Sequence, residues 1–268
     1  MRDELETAKI GALAGGRVLE AMRTDMGVIR SKGWATDLVT DADVAAGVAV
    51  VQAILERDAA ARFVVEEEEV YELAGAIRGS VDDDQVWVID PLDGTTSFVH
   101  GYPTYSVSVA LLRAGQPVAG AVYNAALGEM NAAATGLGAF RDDTPLHVSD
   151  ALGVHEALLI TGFPYDRGVP LDRQLDVLAA FLRAPVHGIR RDGSAAIDCC
   201  HVAGARADGF WEYALKPWDM AGGVVILREA GAVVTDVYGA EWSAHSTSIL
   251  AANPAVHAEM LEVIRRES

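Results

Sequence analysis

One stretch of the sequence, residues 86–98, joins an apolar run to two acids and the start of a helix. Residues 85–89 are mostly β-branched and aromatic, which predicts a strand buried inside a sheet. Asp90 and Asp93 follow this run, and Pro91 between them favours a turn that brings both carboxylates to the end of the strand. Two carboxylates placed together in this way indicate a site for a divalent cation.

A helix start follows the two acids directly. Gly94 comes next, and Thr95 or Thr96 is a candidate cap for a helix that begins near Ser97. The free N–H groups at the start of a helix can hold an anion. A cation site beside an anion site predicts phosphoryl chemistry.

Composition and charge narrow the class of protein. The chain has 268 residues, of which 51% are hydrophobic and 22% charged, so it can bury a large core as one domain or two closely joined halves. Its net charge of −18 argues against non-specific binding to nucleic acid or to an anionic membrane. An anionic substrate stays possible, because bound cations would reverse the local field.

The cysteines and the N-terminus predict a cytoplasmic protein. Cys199 and Cys200 are adjacent, which would badly strain a disulfide between them, and their apolar surroundings favour buried packing. The N-terminus lacks the hydrophobic region of a signal peptide, and no run of about eighteen uncharged apolar residues occurs. We therefore expect a reducing compartment and no membrane span.

Residue patterns predict the elements of the first half, residues 1–145. Helical periodicity covers 5–22 and 41–57, the second helix being capped by Thr40 or Asp41. Strands are predicted over 62–65, 105–113, 117–124, 129–134 and 138–141, with a strand and turn over 28–36 and a loop or short helix over 69–81. The short connection containing Gly115 favours a hairpin. This half therefore predicts helices packed on a largely antiparallel sheet.

The second half, residues 146–268, alternates strands and helices. Strands are predicted over 157–161, 185–189, 209–213, 233–237 and 248–252, and helices over 171–182, 194–205, 220–229 and 254–266. Asp219 is a candidate cap of the third helix, and Pro254 opens the last. No linker separates the halves, which predicts a single α/β domain of alternating helix and sheet layers.

Two segments resemble the signatures of a known enzyme family. Residues 87–103, WVIDPLDGTTSFVHGYP, and residues 218–234, WDMAGGVVILREAGAVV, resemble the two signatures of the inositol monophosphatases. These belong to a Mg²⁺-dependent, lithium-sensitive phosphatase superfamily. The resemblance spans nearly the whole chain and implies the layered fold shared with fructose-1,6-bisphosphatase, a homodimer and hydrolysis of a phosphomonoester.

The resemblance implies a set of metal ligands for two or three Mg²⁺ ions. Asp90 would bridge two ions, and Asp219 would supply one ion from the second half. The implied ligands are Glu66, Asp90, the carbonyl of Leu92, Asp93 and Asp219.

The acidic motif before these ligands is longer than the family's usual pair of acids. A short strand ending at Val65 leads directly into four glutamates. Matching the strand places the ligand at Glu66 with Glu67 beside it, and a shift of one residue would exchange them. Glu68 and Glu69 are expected to be solvated.

The resemblance also implies catalytic roles. Glu66 and Thr95 would orient and deprotonate the attacking water, and Asp43 would support Thr95. The N–H groups of Gly94 and Thr95 would hold the phosphate. Lys32 is a candidate for the edge of the site.

Substrate choice is expected to come from the second half. Glu212 resembles the carboxylate that accepts hydrogen bonds from inositol hydroxyls, and a carboxylate has several acceptor positions for a polyol. Asp192 and Ser97 differ from the residues common in relatives, and Lys216 would face either the leaving group or the surface. The residues implied to line the sugar side are Gly193, Ser194 and Ala195.

These observations favour a Mg²⁺-dependent phosphatase acting on myo-inositol 1-phosphate or a similar polyol or sugar phosphate. The alternatives in the same class are a histidinol-phosphate phosphatase, a fructose-1,6-bisphosphatase and a 3′-phosphoadenosine nucleotidase. The alternative in another class is a regulatory binding protein that keeps the metal site. If the protein is a phosphatase, its expected partner is a small-molecule phosphomonoester. If it is a regulatory binding protein, its expected partner is a macromolecule.

Overall fold

The structure is a computed structural model that describes residues 1–25, 27–31, 38–165 and 168–267. Lys32, the candidate for the edge of the site, lies outside the described residues, as do residues 32–36 of the predicted strand and turn over 28–36. Within the described ranges, no helix is both long enough and apolar enough to cross a bilayer.

Eight α-helices and fifteen strands are described. The helices are α1 (Arg2–Met22), α2 (Asp41–Leu55), α3 (Glu69–Ala74), α4 (Thr95–His100), α5 (Val169–Arg183), α6 (Ala195–Ala203), α7 (Pro217–Glu229) and α8 (Pro254–Arg266). The strands of the first half are β1 (Ile29–Ser31), β2 (Leu38–Thr40), β3 (Arg62–Val65), β4 (Ile77–Arg78), β5 (Gln85–Asp93), β6 (Ser106–Arg113), β7 (Gln116–Asn124), β8 (Glu129–Ala134), β9 (Gly138–Arg141) and β10 (Thr144–Pro145). The strands of the second half are β11 (Leu158–Thr161), β12 (Gly188–Arg190), β13 (Gly209–Tyr213), β14 (Val233–Thr235) and β15 (Ser248–Ala252).

Two large sheets carry the fold, and β1 and β2 form a separate antiparallel pair. The larger sheet has eight strands in the order β10-β9-β8-β7-β6-β5-β3-β4, and it is antiparallel except for the pairs that β3 makes with β4 and β5. The smaller sheet has the order β12-β11-β13-β15-β14, with β11 parallel to both of its neighbours. The expectation of a largely antiparallel first half is confirmed.

Side chains along the central strands point alternately to the two faces of the sheet, which divides the core into layers. In β5, Trp87 and Ile89 pack against α1 and α2, whereas Val86 and Val88 pack against α6 and α7 on the other face. The smaller sheet covers the other side of α6 and α7, and α5 and α8 cover its outer face. The order of layers is therefore helix, sheet, helix, sheet, helix, and the α/β layered fold is confirmed.

Several boundaries differ from the predicted ones near the two signatures. Strand β5 continues past Ile89 to Asp93, because Asp93 still pairs with Ser106 across a register shift. Helix α4 begins at Thr95 rather than near Ser97, and α7 begins at Pro217, so that Asp219 lies inside its first turn. Proline lacks an N–H group and is favoured in the first turn, where no helical partner is needed.

Candidate active site

A cavity of about 90 Å³ lies where β5 ends and where helices α4, α6 and α7 begin. This volume accommodates several groups the size of water. The residues that line it are Leu38, Glu66, Asp90, Leu92, Asp93, Gly94, Thr95, Gly162, Phe163, Tyr165, Arg191, Gly193, Ala195, Glu212, Leu215 and Asp219. Ten of the site residues named from the sequence are among them, and they come from both halves of the chain.

A bulge at the end of β5 sets the directions of its two acids. Asp90 pairs with Ser108 and Asp93 with Ser106, so that β5 holds one residue more than β6 over this interval. The amide of Leu92 donates to Oδ1 of Asp90 at 3.0 Å. Pro91, expected to favour a turn, lies in this bulge, where its missing N–H costs the sheet no hydrogen bond.

Asp93 connects the end of β5 to the start of α6. Its Oδ2 accepts from Ser194 Oγ at 2.6 Å and from the amide of Ala196 at 2.8 Å. Ser194 caps α6 through the amide of Ile197, and its hydroxyl lies 3.2 Å from that of Ser106. Ser194, expected on the sugar side, therefore lies behind Asp93 and does not line the cavity.

Asp219 enters the cavity from α7. Its Oδ2 accepts from the amide of Lys216 at 2.7 Å, which fixes the first turn of the helix. The side chain of Asp90 hydrogen-bonds to those of both Glu66 and Asp219. The acids from β5, α7 and the end of β3 thus meet at Asp90.

Burial and mutual repulsion raise the pKa values of these acids. Desolvation is the first cause for Asp90, Asp93 and Asp219, and nearby negative charge adds to it. The pKa of Asp90 and that of Asp219 lie well above their usual range. The pKa of Asp93 rises only to about 6, because its bonds to Ser194 and Ala196 favour the charged form.

Thr95 is held by Asp43, which lies behind the cavity wall. The Thr95 hydroxyl is 3.0 Å from Oδ1 of Asp43 and 3.1 Å from the carbonyl oxygen of Leu92. Asp43 is fully buried, and its Oδ2 accepts from the amide and the hydroxyl of Thr40. Burial raises the pKa of Asp43, although these hydrogen bonds oppose the rise. The predicted capping by Thr40 is confirmed.

The prediction that Thr95 or Thr96 caps α4 is wrong. Gly94 occupies the cap position with φ of 94°, and no side chain caps the helix. The Thr95 hydroxyl is turned toward Asp43 and Leu92 instead. A Cβ atom at residue 94 would lie 2.9 Å from the carbonyl oxygen of Thr104 and 3.0 Å from that of Gly193. Only glycine fits this close contact between the two turns.

Glu212 reaches the cavity from β13 of the smaller sheet. Its carboxylate lies against Gly162, where a Cβ atom would come within 2.2 Å of it. Desolvation and the negative charges of Asp219 and Asp93 raise the pKa of Glu212 to about 8. Gly162 thus makes room for the acid that is expected to contact the substrate.

The structure separates the two candidate glutamates. Glu66 lines the cavity, whereas Glu67 is buried and does not. Glu68 is exposed and pairs with Arg78, and Glu69 is also exposed, as expected for solvated positions. The geometry supports Glu66 as the residue that acts at the site.

Sequence reasoning missed several residues of the cavity wall. Phe163 and Tyr165 follow β11, and Arg191 lies 6.0 Å above the Phe163 ring. Gly162, at the end of a predicted strand, was the only local signal that pointed to this segment. The other missed residues are Leu38 and Leu215.

The carboxylates of the site are ligands that suit Mg²⁺, although their oxygens do not all point to one common position. In the described part of the chain, no three Asp, Glu, His or Cys side chains stand ready as a metal-ligand group. Asp93 and Asp219 each direct one oxygen to a protein donor, and Asp90 bonds to two other acids. Bonds between carboxyls require protons, which a hard cation would replace. The chemistry of the cluster therefore suits a hard cation.

Comparisons with known proteins agree with this fold and cavity. An inositol-1-monophosphatase of Synechocystis is 40% identical over 260 residues, which is 97% of this chain and 88% of that protein. A putative Nus factor SuhB of Neisseria meningitidis is 39% identical over 246 residues, 92% of this chain and 89% of that one. A solved inositol monophosphatase of Anabaena has a TM-score of 0.86 at 34% identity and covers 99% of this chain and 96% of its own.

The layered fold and its acid cavity define a phosphatase of the α/β class. The sequence profile described as the inositol monophosphatase family matches residues 1–268. The chain belongs to the inositol monophosphatase family, and the resemblance seen in its two signatures is confirmed.

Proposed function

We propose that this protein is a Mg²⁺-dependent phosphomonoester hydrolase whose substrate is myo-inositol 1-phosphate or a similar polyol or sugar phosphate. One observation carries the proposal: five acids and three helix starts meet at a single cavity. The acids suit cations, and the helix starts suit an oxyanion. The family is generally Mg²⁺-dependent, and the relatives named as inositol-1-monophosphatases support the choice of substrate.

Glu66, Asp90, Asp93, Asp219 and the carbonyl of Leu92 would hold two or three Mg²⁺ ions. When bound, these ions would neutralise the clustered acids, lower the pKa of water and offset the charge of the phosphate. Asp90 is the natural centre of the ligand set, because it already contacts Glu66 and Asp219.

The remaining steps belong to the protein's own groups. The amides of Gly94 and Thr95 would hold the phosphate where α4 begins. Asp43 fixes the Thr95 hydroxyl, and Thr95 would then orient the attacking water. The carboxylate of Glu66 would accept the water's proton as the water oxygen bonds to phosphorus and the P–O bond to the leaving group breaks. The leaving oxygen would take a proton from solvent, which gives inorganic phosphate and the free alcohol.

Glu212 would recognise the alcohol. Its carboxyl lines the cavity and can accept hydrogen bonds from polyol hydroxyls or donate one while it is protonated. Gly193 and Ala195 line the cavity as well, and Ser194 would act through Asp93.

Phosphate release from a panel of phosphomonoesters tests the proposal. The panel contains myo-inositol 1-phosphate, histidinol phosphate, fructose 1,6-bisphosphate and 3′-phosphoadenosine 5′-phosphate, each assayed with Mg²⁺, with Mg²⁺ and Li⁺, and with EDTA. We expect the fastest turnover on the inositol ester, inhibition by Li⁺ and loss of activity in EDTA. Faster turnover on another ester would make that ester the preferred substrate in place of myo-inositol 1-phosphate. Activity in EDTA would overturn the metal assignment.

Relatives named as Nus factors favour a second candidate function, that of a regulatory binding protein which retains the metal site. No turnover on any ester, in a folded protein that still binds Mg²⁺, would favour this role. We further expect a cytoplasmic homodimer. Sedimentation of the purified protein tests the dimer, and fractionation of the source cells tests the compartment.

A further inference from the structure

Strand β3 loses one of its two neighbours just before it reaches Glu66. On one side it pairs with β5 to its end, and the amide of Glu66 still donates to the carbonyl of Ile89 at 3.2 Å. On the other side β4 pairs only with Arg62 and Phe63, and the amide of Gly79 makes the last bond, to the carbonyl of Phe63 at 2.7 Å. Within the described ranges, the end of β3 therefore has no strand beside it on that side.

The hydroxyl of Tyr71 takes the place of the missing strand. Its oxygen accepts from the amide of Val65 at 2.9 Å, and its proton is donated to the carbonyl of Phe63 at 3.2 Å. Val65 is buried and directly precedes Glu66, so removal of the hydroxyl would leave a buried amide without its protein acceptor. The hydroxyl thus completes the hydrogen bonding of β3 beyond the end of β4.

Arg78 and Glu68 hold the ring that carries this hydroxyl. The guanidinium of Arg78 lies 3.8 Å from the centre of the Tyr71 ring, a distance that suits a cation–π contact. Both terminal nitrogens of Arg78 bond to the carboxylate of Glu68, one of them at 3.0 Å. The ion pair is exposed and contributes little energy by itself, but it keeps Arg78 over the ring. The other face of Tyr71 packs against the core of the first half.

These contacts give the run of four glutamates a use beyond solvation. Glu66 lines the acid cavity, and the side chain of Asp90 hydrogen-bonds to it there. Glu68, two residues further along, acts on the same strand end from outside through Arg78 and Tyr71. The longer acidic motif therefore serves the cavity from two sides.

We infer that Tyr71 is a positioning residue for Glu66. Its hydroxyl fixes the end of β3, so that the Glu66 carboxylate stays beside Asp90 and is ready for a divalent cation. The role of Glu66 at a cation rests on the proposed function, whereas the contacts of Tyr71 do not.

Titration of the metal-free protein with Mn²⁺, followed by calorimetry, tests the inference without turnover. Mn²⁺ takes the same oxygen ligands as Mg²⁺. Tyr71→Phe removes the hydroxyl and keeps the ring beneath Arg78. Loss of a residue that supports a metal ligand typically weakens affinity about 10- to 100-fold, so we expect the Kd for Mn²⁺ to rise about tenfold or more. Tyr238→Phe, which removes a hydroxyl bonded to Arg173 and does not line the acid cavity, is the matched control and should bind like the wild type.

Turnover with Mg²⁺ separates positioning from a loss of folded protein. Tyr71→Phe should lower kcat about tenfold and move the Mg²⁺ concentration for half-maximal rate upward by a similar factor. KM for the ester should change little, because Glu212 and the amides at the start of α4 lie on other elements. A smaller folded fraction would lower the maximal rate without moving the Mg²⁺ midpoint.

Arg78→Gln leaves the hydroxyl in place and should therefore change both values less than Tyr71→Phe does. An equal or larger loss in Arg78→Gln would assign the effect to the ion pair and overturn the role of the hydroxyl.

The inference is also overturned if Tyr71→Phe binds Mn²⁺ as tightly as the wild type, whatever its kcat. If the wild type binds Mn²⁺ but hydrolyses no phosphomonoester, the proposed function fails, and the Mn²⁺ titration alone decides the role of Tyr71. A wild type that binds no Mn²⁺ would overturn both.

Discussion

Asp93 joins two parts of the chain that are about a hundred residues apart in sequence. One of its oxygens is committed to Ser194 and Ala196 at the start of α6, and the carboxyl as a whole lines the cavity. The same side chain therefore positions a helix start and presents a candidate metal ligand. Its dual use explains why its pKa rises less than those of Asp90 and Asp219.

Replacement of Asp93 by asparagine should remove most activity and leave the fold intact. Asparagine keeps an acceptor for Ser194 but loses the negative charge that a cation requires. Mutation of a residue that only supports a metal ligand typically lowers activity about 10- to 100-fold. Because Asp93 is proposed to bind the metal itself, we expect a larger fall in kcat. Asp84→Asn, an exposed change at the other end of β5, is the control. A variant with full, metal-dependent activity would contradict the assignment of Asp93.

Thr95 offers a second test at the residue scale. Its hydroxyl is held between Asp43 and the Leu92 carbonyl. Thr95→Ser should keep most activity, whereas Thr95→Val, of nearly the same shape, should lower kcat about 10- to 100-fold. Steady-state kinetics on the best substrate measures both. Equal losses in the two variants would assign the effect to packing rather than to the hydroxyl.

At the scale of elements, the starts of α4, α6 and α7 create the site. Each begins with a residue that suits a helix start or a tight turn, namely Gly94, Ser194 and Pro217. The sequence indicated the helices and both signature motifs, because periodicity, capping residues and the Asp90–Asp93 spacing are local signals. The predicted start of α4 was wrong because the bulge in β5 and the Thr95–Asp43 bond depend on distant partners. The start of α7 was also wrong, although Pro217 is a local signal for the first turn of a helix.

The turn after β11 could not be recognised locally. Phe163 and Tyr165 enter the cavity only because β11 lies parallel to β13, which carries Glu212. No spacing in the sequence reveals that neighbour relation. The Asp90, Asp93 and Asp219 set, by contrast, was named from signatures, and the structure brings all three acids to one cavity.

Gly162→Ala tests how the β11 turn serves Glu212. The added Cβ atom would lie 2.2 Å from the Glu212 carboxylate, so that the acid must move. We expect KM for polyol phosphates to rise severalfold, about 1 kcal/mol, with a smaller change in kcat. Gly11→Ala in α1, where the nearest contacts are an ordinary 3.4 Å, is the control and should leave kinetics unchanged. An unaltered KM in Gly162→Ala would show that Glu212 does not take part in substrate binding.

At the scale of the whole molecule, the acid cavity makes stability depend on pH and on cations. Glu212 has a pKa of about 8 in the folded protein, whereas a glutamate in an unfolded chain titrates near pH 4. Between these values the folded state holds the extra proton, so its stability falls as pH rises. Asp90 and Asp219 act in the same direction.

In EDTA we therefore expect Tm to fall by about 5 °C between about pH 6.5 and pH 8.5. Glu212→Gln should reduce this slope, and Mg²⁺ should raise Tm most at the high end of the range, where the acids are charged. Thermal unfolding at a series of pH values measures both effects. A Tm in EDTA that rises over this interval would contradict the raised pKa values.

The central claim is that acids from both halves of the chain hold divalent cations in one cavity. Anomalous diffraction from crystals soaked in Mn²⁺, a substitute for Mg²⁺ with a measurable signal, tests it most directly. We expect at least one strong peak within about 2.0–2.6 Å of carboxylate oxygens from the set Glu66, Asp90, Asp93 and Asp219, including Asp90. Peaks found only elsewhere on the surface, with this cavity empty, would contradict the account.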